Sequence, residues 1–127
     1  MANLDYEVTI REVSAELSAR DRIKLKDFGN ATQLDEACTD GSFILTPAVW
    51  AILDVHNEKS SQDKDYLKYI IMDNAGNKFI TGSDSFFKSF MEIWNEMKDS
   101  GEEYSIEVYR RPSKNYKGKF FLSCSLV

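Results

Sequence analysis

The sequence predicts a mostly β, α+β protein with one long helix, and two patterns indicate this class. One is a series of strand-like segments, in which apolar and polar residues alternate or β-branched and aromatic residues predominate. These segments are residues 6–10, 66–72, 78–81, 104–109 and 120–126. The other is an apolar stripe at helical spacing from Asp84 to about Lys98. The 127 residues contain no repeat and no linker, which predicts one domain over residues 1–127.

The helix has the clearest local signals in the chain. Ser83 suits the N-cap position, Asp84 suits the positive end of the helix dipole, and Gly101 suits the end. Its apolar face consists of Phe86, Phe90, Ile93, Trp94 and Met97. Such a stripe predicts a helix that fills a core. Just before it, residues 73–77 predict a tight turn between two strands, because Asn and Gly tolerate positive φ.

Residues 20–26 alternate in the manner of a further strand, with Ile23 and Leu25 on one face. The opposite face would carry four cations, Arg20, Arg22, Lys24 and Lys26. Like charges on one strand face repel each other. Two interpretations stay open for this face, a surface that binds a polyanion and a solvated outer face.

The middle of the first half is less regular. Residues 28–42 contain Gly, Asn and Asp and predict a loop. For residues 43–59 two alternatives stay open, a short helix that starts at Thr46-Pro47 and strands interrupted at Pro47. A strand is predicted at residues 52–58, and a polar loop follows at residues 60–65.

The charge of the chain is strongly polarised. The net charge is −5, yet Val108 to Val127 contain five basic residues and no acidic residue. The first 107 residues hold 11 basic and all 21 acidic residues, a net charge of −10. A local basic field can steer a polyanion whatever the total charge. The two readings of this region are a binding site on an acidic body and a solvated basic loop.

The order of elements points to a particular β architecture. The helix lies after three strand regions and before a final hairpin, whose long basic loop is residues 110–119. The five-stranded Greek-key barrel called the OB-fold has a helix between strands 3 and 4 and binds ligands on strands 2–3 and neighbouring loops. The sequence therefore predicts an OB-fold-like barrel, with residues 1–19 as a candidate N-terminal extension or arm.

Candidate contacts to a single strand are the cations and the aromatic rings of these elements. Cations bind phosphates, and flat rings stack on bases. In the final hairpin Tyr109 and Phe121 lie opposite the inward residues, whereas Phe120 shares the inward face with Leu122. Which face of residues 66–72 is buried stays open. The predicted contacts are Arg20, Arg22, Lys24, Lys26, Tyr66, Lys68, Tyr69, Tyr109, Arg110, Arg111, Lys114, Tyr116, Lys117 and Lys119.

No catalytic or metal-binding motif is found in the sequence. His56 is the one histidine and is predicted to be a surface or hydrogen-bonded residue. Cys38 and Cys124 match no zinc spacing and are predicted to be reduced thiols. Residues 73–77 lack the spacing of a calcium loop. The sequence predicts a non-enzymatic protein without a cofactor or metal.

The C-terminal two thirds resemble a known family, the single-stranded DNA-binding proteins of phages and plasmids of Gram-positive bacteria. The resemblance begins at Asp40-Gly41-Ser42-Phe43-Ile44 and continues in the strand, turn and strand from Tyr69 to Phe79. It includes a helix entered through Ser, then Ser113-Lys114, and a final run from Gly118 to Leu126. It covers roughly residues 40–127 and leaves residues 1–19 unmatched.

The resemblance implies sequence-independent coating and protection of single-stranded DNA during phage or plasmid replication, without a cofactor. It implies the contacts of the last hairpin, including Lys114 and Tyr116. RNA binding, a homo-oligomer and cooperative assembly on DNA stay open. The N-terminus lacks the pattern of a signal peptide and no segment is long and apolar enough to span a membrane, which predicts the cytoplasm of the bacterial host.

Two other functions remain as alternatives at this point. The first is an acidic effector that mimics DNA and inhibits a host protein, which the charge of −10 in the first 107 residues motivates. The second is a small nuclease or hydrolase that uses its carboxylates with a divalent ion. The first predicts binding to a basic protein, and the second predicts metal-dependent cleavage.

Overall fold

The computed structural model of the chain describes residues 6–60, 63–113 and 117–127. The elements follow in the order β1 (Tyr6–Val13), α1 (Ala19–Lys26), β2 (Thr32–Gln33), α2 (Leu34–Ala37), β3 (Phe43–Leu45), β4 (Val49–Asn57), β5 (Asp65–Met72), β6 (Lys78–Thr81), α3 (Asp84–Met97), β7 (Ile106–Pro112) and β8 (Phe120–Leu126). The predicted α+β, mostly β class is confirmed. Within the described residues the strands lie in two sheets and form no closed barrel, so the OB-fold is not confirmed.

The chain forms two compact units. Unit 1 consists of Met1–Ala31 and Ala48–Gly82, and unit 2 consists of Thr32–Pro47 and Ser83–Val127. In the part of the chain that the structure describes, no helix is both long enough and apolar enough to cross a membrane.

Unit 1 is an antiparallel sheet with α1 packed on it. Its strands pair in the order β1-β4-β5-β6, with Val8 opposite Val55 and Ala51 opposite Ile70. A bulge interrupts the β1–β4 register between Ile10 and Glu12. The core on this face is made of the buried residues Leu25, Ala51, Leu53 and Ile70, with Val8, Ile10, Val13, Leu17 and Phe28 packed around them. Residues 6–13 are therefore part of the sheet.

The strand predicted at residues 20–26 is wrong, because this segment is helix α1. Ser18 Oγ accepts a hydrogen bond from the backbone N–H of Asp21 at 3.2 Å and caps the helix. Leu25 is the one residue of α1 that is buried, and Ile23 is 66% exposed. The four cations consequently do not share one face. Side chains four residues apart share a side of a helix, so Arg20 pairs with Lys24 on one side and Arg22 with Lys26 on nearly the opposite side.

Two further segments resolve or correct the sequence predictions. Residues 43–57 form strands interrupted at Pro47, as one of the two open alternatives proposed, and the predicted strand at 52–58 lies largely within β4. The predicted loop at residues 28–42 is wrong in part, since it contains β2 and α2.

The turn between β5 and β6 is confirmed at residues 73–77. The carboxylate Oδ1 of Asp73 accepts the backbone N–H of Ala75 at 3.0 Å and of Asn77 at 2.9 Å. These hydrogen bonds, with that from the Asn77 side chain first among them, lower the pKa of Asp73. Gly76 has φ of +87°, a conformation that glycine adopts without strain.

Unit 2 contains an antiparallel sheet in the order β3-β7-β8, and α3 packs against β8. The predicted helix at residues 84–98 is confirmed, with Phe86 and Phe90 fully buried. On the sheet, Ile106, Val108 and Leu122 are buried. These residues form the core that holds the β7–β8 hairpin.

The cap of α3 gives a first test of this architecture. Ser83 Oγ accepts the backbone N–H of Phe86 at 3.2 Å. Ser83→Ala removes this acceptor and is expected to lower the free energy of unfolding by about 1 kcal/mol. Urea denaturation measures the change, and Ser83→Asp, which retains a capping oxygen, is the control. Equal stability of all three proteins would contradict the capping role.

Candidate nucleic-acid interface

The candidate interface lies at the end of the β7–β8 hairpin in unit 2. Strand β3 pairs with residues 106–108 of β7, whereas β7 and β8 continue together to the pair Pro112 and Phe120. The β7–β8 hairpin therefore extends beyond the part of the sheet that β3 covers. Arg110 and Arg111 lie inside β7, which corrects the prediction that they begin a loop. Ser113 N–H donates to the carbonyl of Lys119 at 2.9 Å and closes the segment between the strands.

One face of this extension carries Arg110 and Phe120. The guanidinium carbon of Arg110 lies 4.9 Å from the centroid of the Phe120 ring. Phe120 is 55% exposed, although alternation predicts that it points inward with Leu122. The alternation is correct, since Phe120 and Leu122 share a face. The core ends at Leu122, and Phe120 lies beyond it in solvent.

The other face carries a second pair of the same kind. Arg111 lies directly opposite Phe121 in the register, with its guanidinium carbon 5.9 Å from the ring centroid. Phe121 is 39% exposed. Tyr109 is on this face and half-buried, and its hydroxyl is 2.6 Å from Ser125 Oγ. This bond orients the Tyr109 ring along the sheet.

A cleft of about 380 Å³ lies beside the Arg110–Phe120 pair. It is lined by Cys38, Thr39, Gly41, Ser42, Tyr109, Arg110 and Phe120. The Cys38 thiol donates to the carbonyl of Val108 at 3.3 Å and joins the segment after α2 to β7. Burial raises the pKa of the Cys38 thiol, and burial also raises the pKa of Cys124 to about 12. Both cysteines are free, and at neutral pH both are in the thiol form.

The structure places the predicted contacts in two groups. Tyr109, Arg110, Arg111, Lys117 and Lys119 come together on the hairpin of unit 2. Lys114 and Tyr116 lie outside the described residues.

The remaining predicted contacts belong to unit 1. The cations Arg20, Arg22, Lys24 and Lys26 are on α1, and Tyr66, Lys68 and Tyr69 are on β5. Lys68 Nζ lies 5.9 Å from the centroid of the Tyr66 ring, and both residues are half-buried. Tyr69 is 6% exposed, so its ring presents little surface to a base. At residues 69–71 both faces of β5 are buried, which explains why alternation did not separate them.

Phe120 and Phe121 are not among the contacts predicted from the sequence. Their signal is nevertheless present, because two adjacent aromatic residues in a strand point to opposite faces. A two-layer sheet buries one face, so one ring of such a pair is expected in solvent. Both Phe120 and Phe121 are exposed because the buried core of unit 2 ends at Leu122.

A second cleft, of about 420 Å³, lies in unit 1 beside His56. The imidazole contacts Asp65 Oδ1 through Nδ1 at 2.7 Å and Glu58 Oε1 through Nε2 at 2.7 Å. Lys64 Nζ donates to Glu58 at 3.1 Å. Only the protonated imidazolium donates from both ring nitrogens. The hydrogen bond to Asp65, followed by that to Glu58, accordingly raises the pKa of His56.

The pH dependence of this cluster is a second test. Because the pKa of His56 is raised above its ordinary 6.5, its ion pairs stabilise the fold fully below that value. The contribution is lost as pH rises through the raised folded-state pKa. An NMR titration of the imidazole is expected to give a pKa above 6.5 and, in Asp65→Asn, a lower one. A His56 pKa that Asp65→Asn leaves unchanged would contradict the assignment.

No group of three or more His, Cys, Asp or Glu side chains placed to hold a metal ion occurs within residues 6–60, 63–113 and 117–127. Fold and site together define an α+β protein with a basic, aromatic β-hairpin. Comparison of the chain with protein-family models, curated proteins and solved structures finds no match.

Proposed function

We propose that the protein binds and protects single-stranded DNA, without sequence preference, through the β7–β8 hairpin of unit 2. The observation that supports this most directly is the pair of exposed Phe rings on opposite hairpin faces, each with an Arg guanidinium over it. The resemblance to single-stranded DNA-binding proteins supports the further proposal that this function belongs to phage or plasmid replication in the cytoplasm of a bacterial host.

The chemistry of the hairpin fits a single strand better than a duplex. Bases of a single strand can leave the stack and lie against an aromatic ring or a guanidinium plane, at about 1–3 kcal/mol per base. Arg110, Arg111, Lys117 and Lys119 supply positive charge for the phosphates, in a segment without an acidic residue. Since every base has a flat face, such contacts bind all sequences.

The proposed function does not require a closed OB-type barrel. The part of that architecture on which it depends is a helix followed by a terminal hairpin, here α3, β7 and β8. In OB-folds the loop of the last hairpin is a ligand-binding element. The Arg and Phe residues at the end of β7 and β8 occupy the corresponding place in the chain.

Fluorescence anisotropy of a labelled oligo-dT of about 30 nucleotides tests the proposal. The protein is titrated at two salt concentrations, with duplex DNA as the control. Tight, salt-sensitive binding to the single strand and weak binding to the duplex are expected. A parallel titration with oligo-U decides between DNA and RNA, because only RNA has the 2′-hydroxyl. No binding to either strand at low salt would overturn the proposal.

The salt dependence assigns the phosphate contacts. Arg110→Ala/Arg111→Ala removes two cations and is expected to reduce the slope of log K against log salt by about 1.4, at about 0.7 for each phosphate of a single strand. Arg20→Ala/Arg22→Ala is the matched control, since it removes the same charge from α1 in unit 1. The control slope is expected to stay unchanged. A reduced slope in the control and not in the hairpin variant would move the interface to α1.

The acidic body favours a second candidate function, inhibition of a host protein by DNA mimicry. The first 107 residues carry a net charge of −10, and the cleft beside His56 is lined in part by Glu7, Asp54 and Asp65. Arg11 neutralises part of this charge through its contact with Asp54 at 2.8 Å. A pull-down from a bacterial lysate tests this candidate. DNA mimicry requires that a basic protein is captured, and that Arg110→Ala/Arg111→Ala captures the same protein equally well.

A further inference from the structure

The cleft beside Phe120 has the size and the lining of a discrete binding site. Its volume of about 380 Å³ is near the lower end of the range for small-molecule sites, about 300–1,000 Å³. Its lining contains the Arg110–Phe120 pair, which supplies a cation and an exposed aromatic ring, and the small residues Thr39, Gly41 and Ser42, which form its rim. A cation and an aromatic ring beside small polar residues suit a planar ring that carries a phosphate.

We infer that this cleft holds one nucleotide of a bound single strand, with its base stacked on the Arg110–Phe120 pair and its phosphate at the edge of the Arg110 guanidinium. This inference rests on the proposed function and deepens it. One guanidinium can stack with a base and bind a phosphate at the same time. Its plane stacks on a ring, while its N–H groups donate in that plane.

The direction of the nucleotide in the cleft follows from the charges around it. The segment from α2 into the cleft rim contains the carboxylates Asp35, Glu36 and Asp40. They repel a phosphate on that side. The hairpin side contains Arg110 and Lys119 and no acidic residue after Glu107. The phosphate therefore lies on the hairpin side, and the base points toward Thr39 and Ser42. The Thr39 hydroxyl donates to the carbonyl of Asp35 at 3.5 Å and can still accept from the base edge, whereas the Ser42 hydroxyl can donate or accept.

Hydrogen bonds order the first two residues of the cleft lining, Cys38 and Thr39, in the absence of a ligand. The backbone N–H of Cys38 donates to Leu34, that of Thr39 donates to Glu36, and the Cys38 thiol donates to Val108 on β7. Gly41 has φ of +153°, a conformation that residues with a side chain rarely adopt. The order of Cys38 and Thr39 before binding reduces the entropy lost when a ligand binds.

That opposite face provides the matched control. Phe121 is next to Phe120 in the chain, has the guanidinium carbon of Arg111 at 5.9 Å from its ring centroid, and is outside the lining of the cleft. The binding of a mononucleotide should therefore depend on Phe120 and not on Phe121. The binding of a long strand that passes over both faces should depend on both rings. This difference distinguishes a discrete site from a uniformly basic surface.

The experiment is an NMR titration of the ¹⁵N-labelled protein with thymidine 5′-monophosphate, alongside anisotropy with oligo-dT. The nucleotide is expected to shift the amides of Thr39, Gly41 and Ser42. Phe120→Ala is expected to weaken its binding roughly 5- to 150-fold, the equivalent of one lost stacking contact, and Phe121→Ala by less than twofold. Ser42→Trp, which fills the cleft, is expected to block the mononucleotide. Thermal melting of each variant confirms that it is folded.

The possible results separate the inference from the proposed function. Equal losses in Phe120→Ala and Phe121→Ala, or no shift at Thr39, Gly41 and Ser42, with oligo-dT still bound, would overturn the cleft site and leave the proposed function standing. A mononucleotide that binds more tightly than a dinucleotide would also overturn it, because the site would then select free nucleotides. Failure of the unmodified protein to bind oligo-dT would overturn the proposed function itself.

Discussion

Phe120→Ala/Phe121→Ala is expected to weaken the binding of a 30-nucleotide oligo-dT by about 2–6 kcal/mol. Each ring is proposed to stack with one base at about 1–3 kcal/mol, and the two rings lie on opposite faces of the hairpin, where one base cannot use both. The expected loss of affinity is therefore roughly 30-fold to more than 10,000-fold. Anisotropy at a fixed salt concentration measures it.

The stability of the same variant is expected to change little. Both rings are exposed, and surface substitutions away from the core are usually within about 0.5 kcal/mol. Tyr6→Ala is the control for a lost exposed ring, since Tyr6 is an exposed aromatic residue in unit 1. Affinity in Phe120→Ala/Phe121→Ala equal to that in Tyr6→Ala would show that the hairpin rings do not stack with bases.

The elements that the sequence predicts well are those whose local signals and burial agree. Helix α3 has a capping Ser83, a full apolar stripe and a core to bury it in, so its prediction depends on no distant contact. The β5–β6 turn depends on Asp73 and Gly76, whose roles are equally local. Agreement between propensity, pattern and tertiary environment makes such segments predictable.

Helix α1 shows where this reasoning fails. Residues 20–26 offer two apolar residues at a spacing of two, which imitates a strand. The helix forms because Ser18 caps it and Arg, Lys and Leu are good helix formers. Lys78 also fixes its end, by donating to the carbonyls of Lys24 and Asp27. With Leu25 alone buried, its amphipathic period is too weak to be visible. Because the segment is a helix, its four cations do not lie on the single face that a strand would give them.

The candidate site depends on where a core ends, which no local pattern encodes. The basic residues after Val108 are visible in the sequence, and they direct attention to the last hairpin. The contact of Arg111 with Phe121, its register partner, and of Arg110 with Phe120, its diagonal neighbour, requires the register of β7 and β8. The cleft requires in addition that residues 38–42 lie beside β7, a contact between segments about 70 residues apart. Sequence pattern contains neither piece of information.

Phe90→Ala is expected to have the largest effect on stability, because this ring lies at the centre of the α3 core. Phe90 is 0% exposed, and its centroid is 6.2 Å from Phe86, 6.0 Å from Phe87 and 6.0 Å from Trp94. Truncation of a buried Phe costs about 3–5 kcal/mol, through lost burial and the cavity that remains. The free energy of unfolding of a typical protein is about 5–15 kcal/mol, so this loss is a large share of it.

Urea denaturation measures the loss, and Lys88→Ala, an exposed position of the same helix, is the control with an expected change within about 0.5 kcal/mol.

Because α3 packs against β8, Phe90→Ala should abolish oligo-dT binding only at temperatures where the protein unfolds. Phe120→Ala/Phe121→Ala should weaken it in the folded protein. A loss below about 1 kcal/mol in Phe90→Ala would contradict the α3 packing. Full DNA binding by unfolded Phe90→Ala would instead show that positive charge alone, without the hairpin geometry, binds the strand.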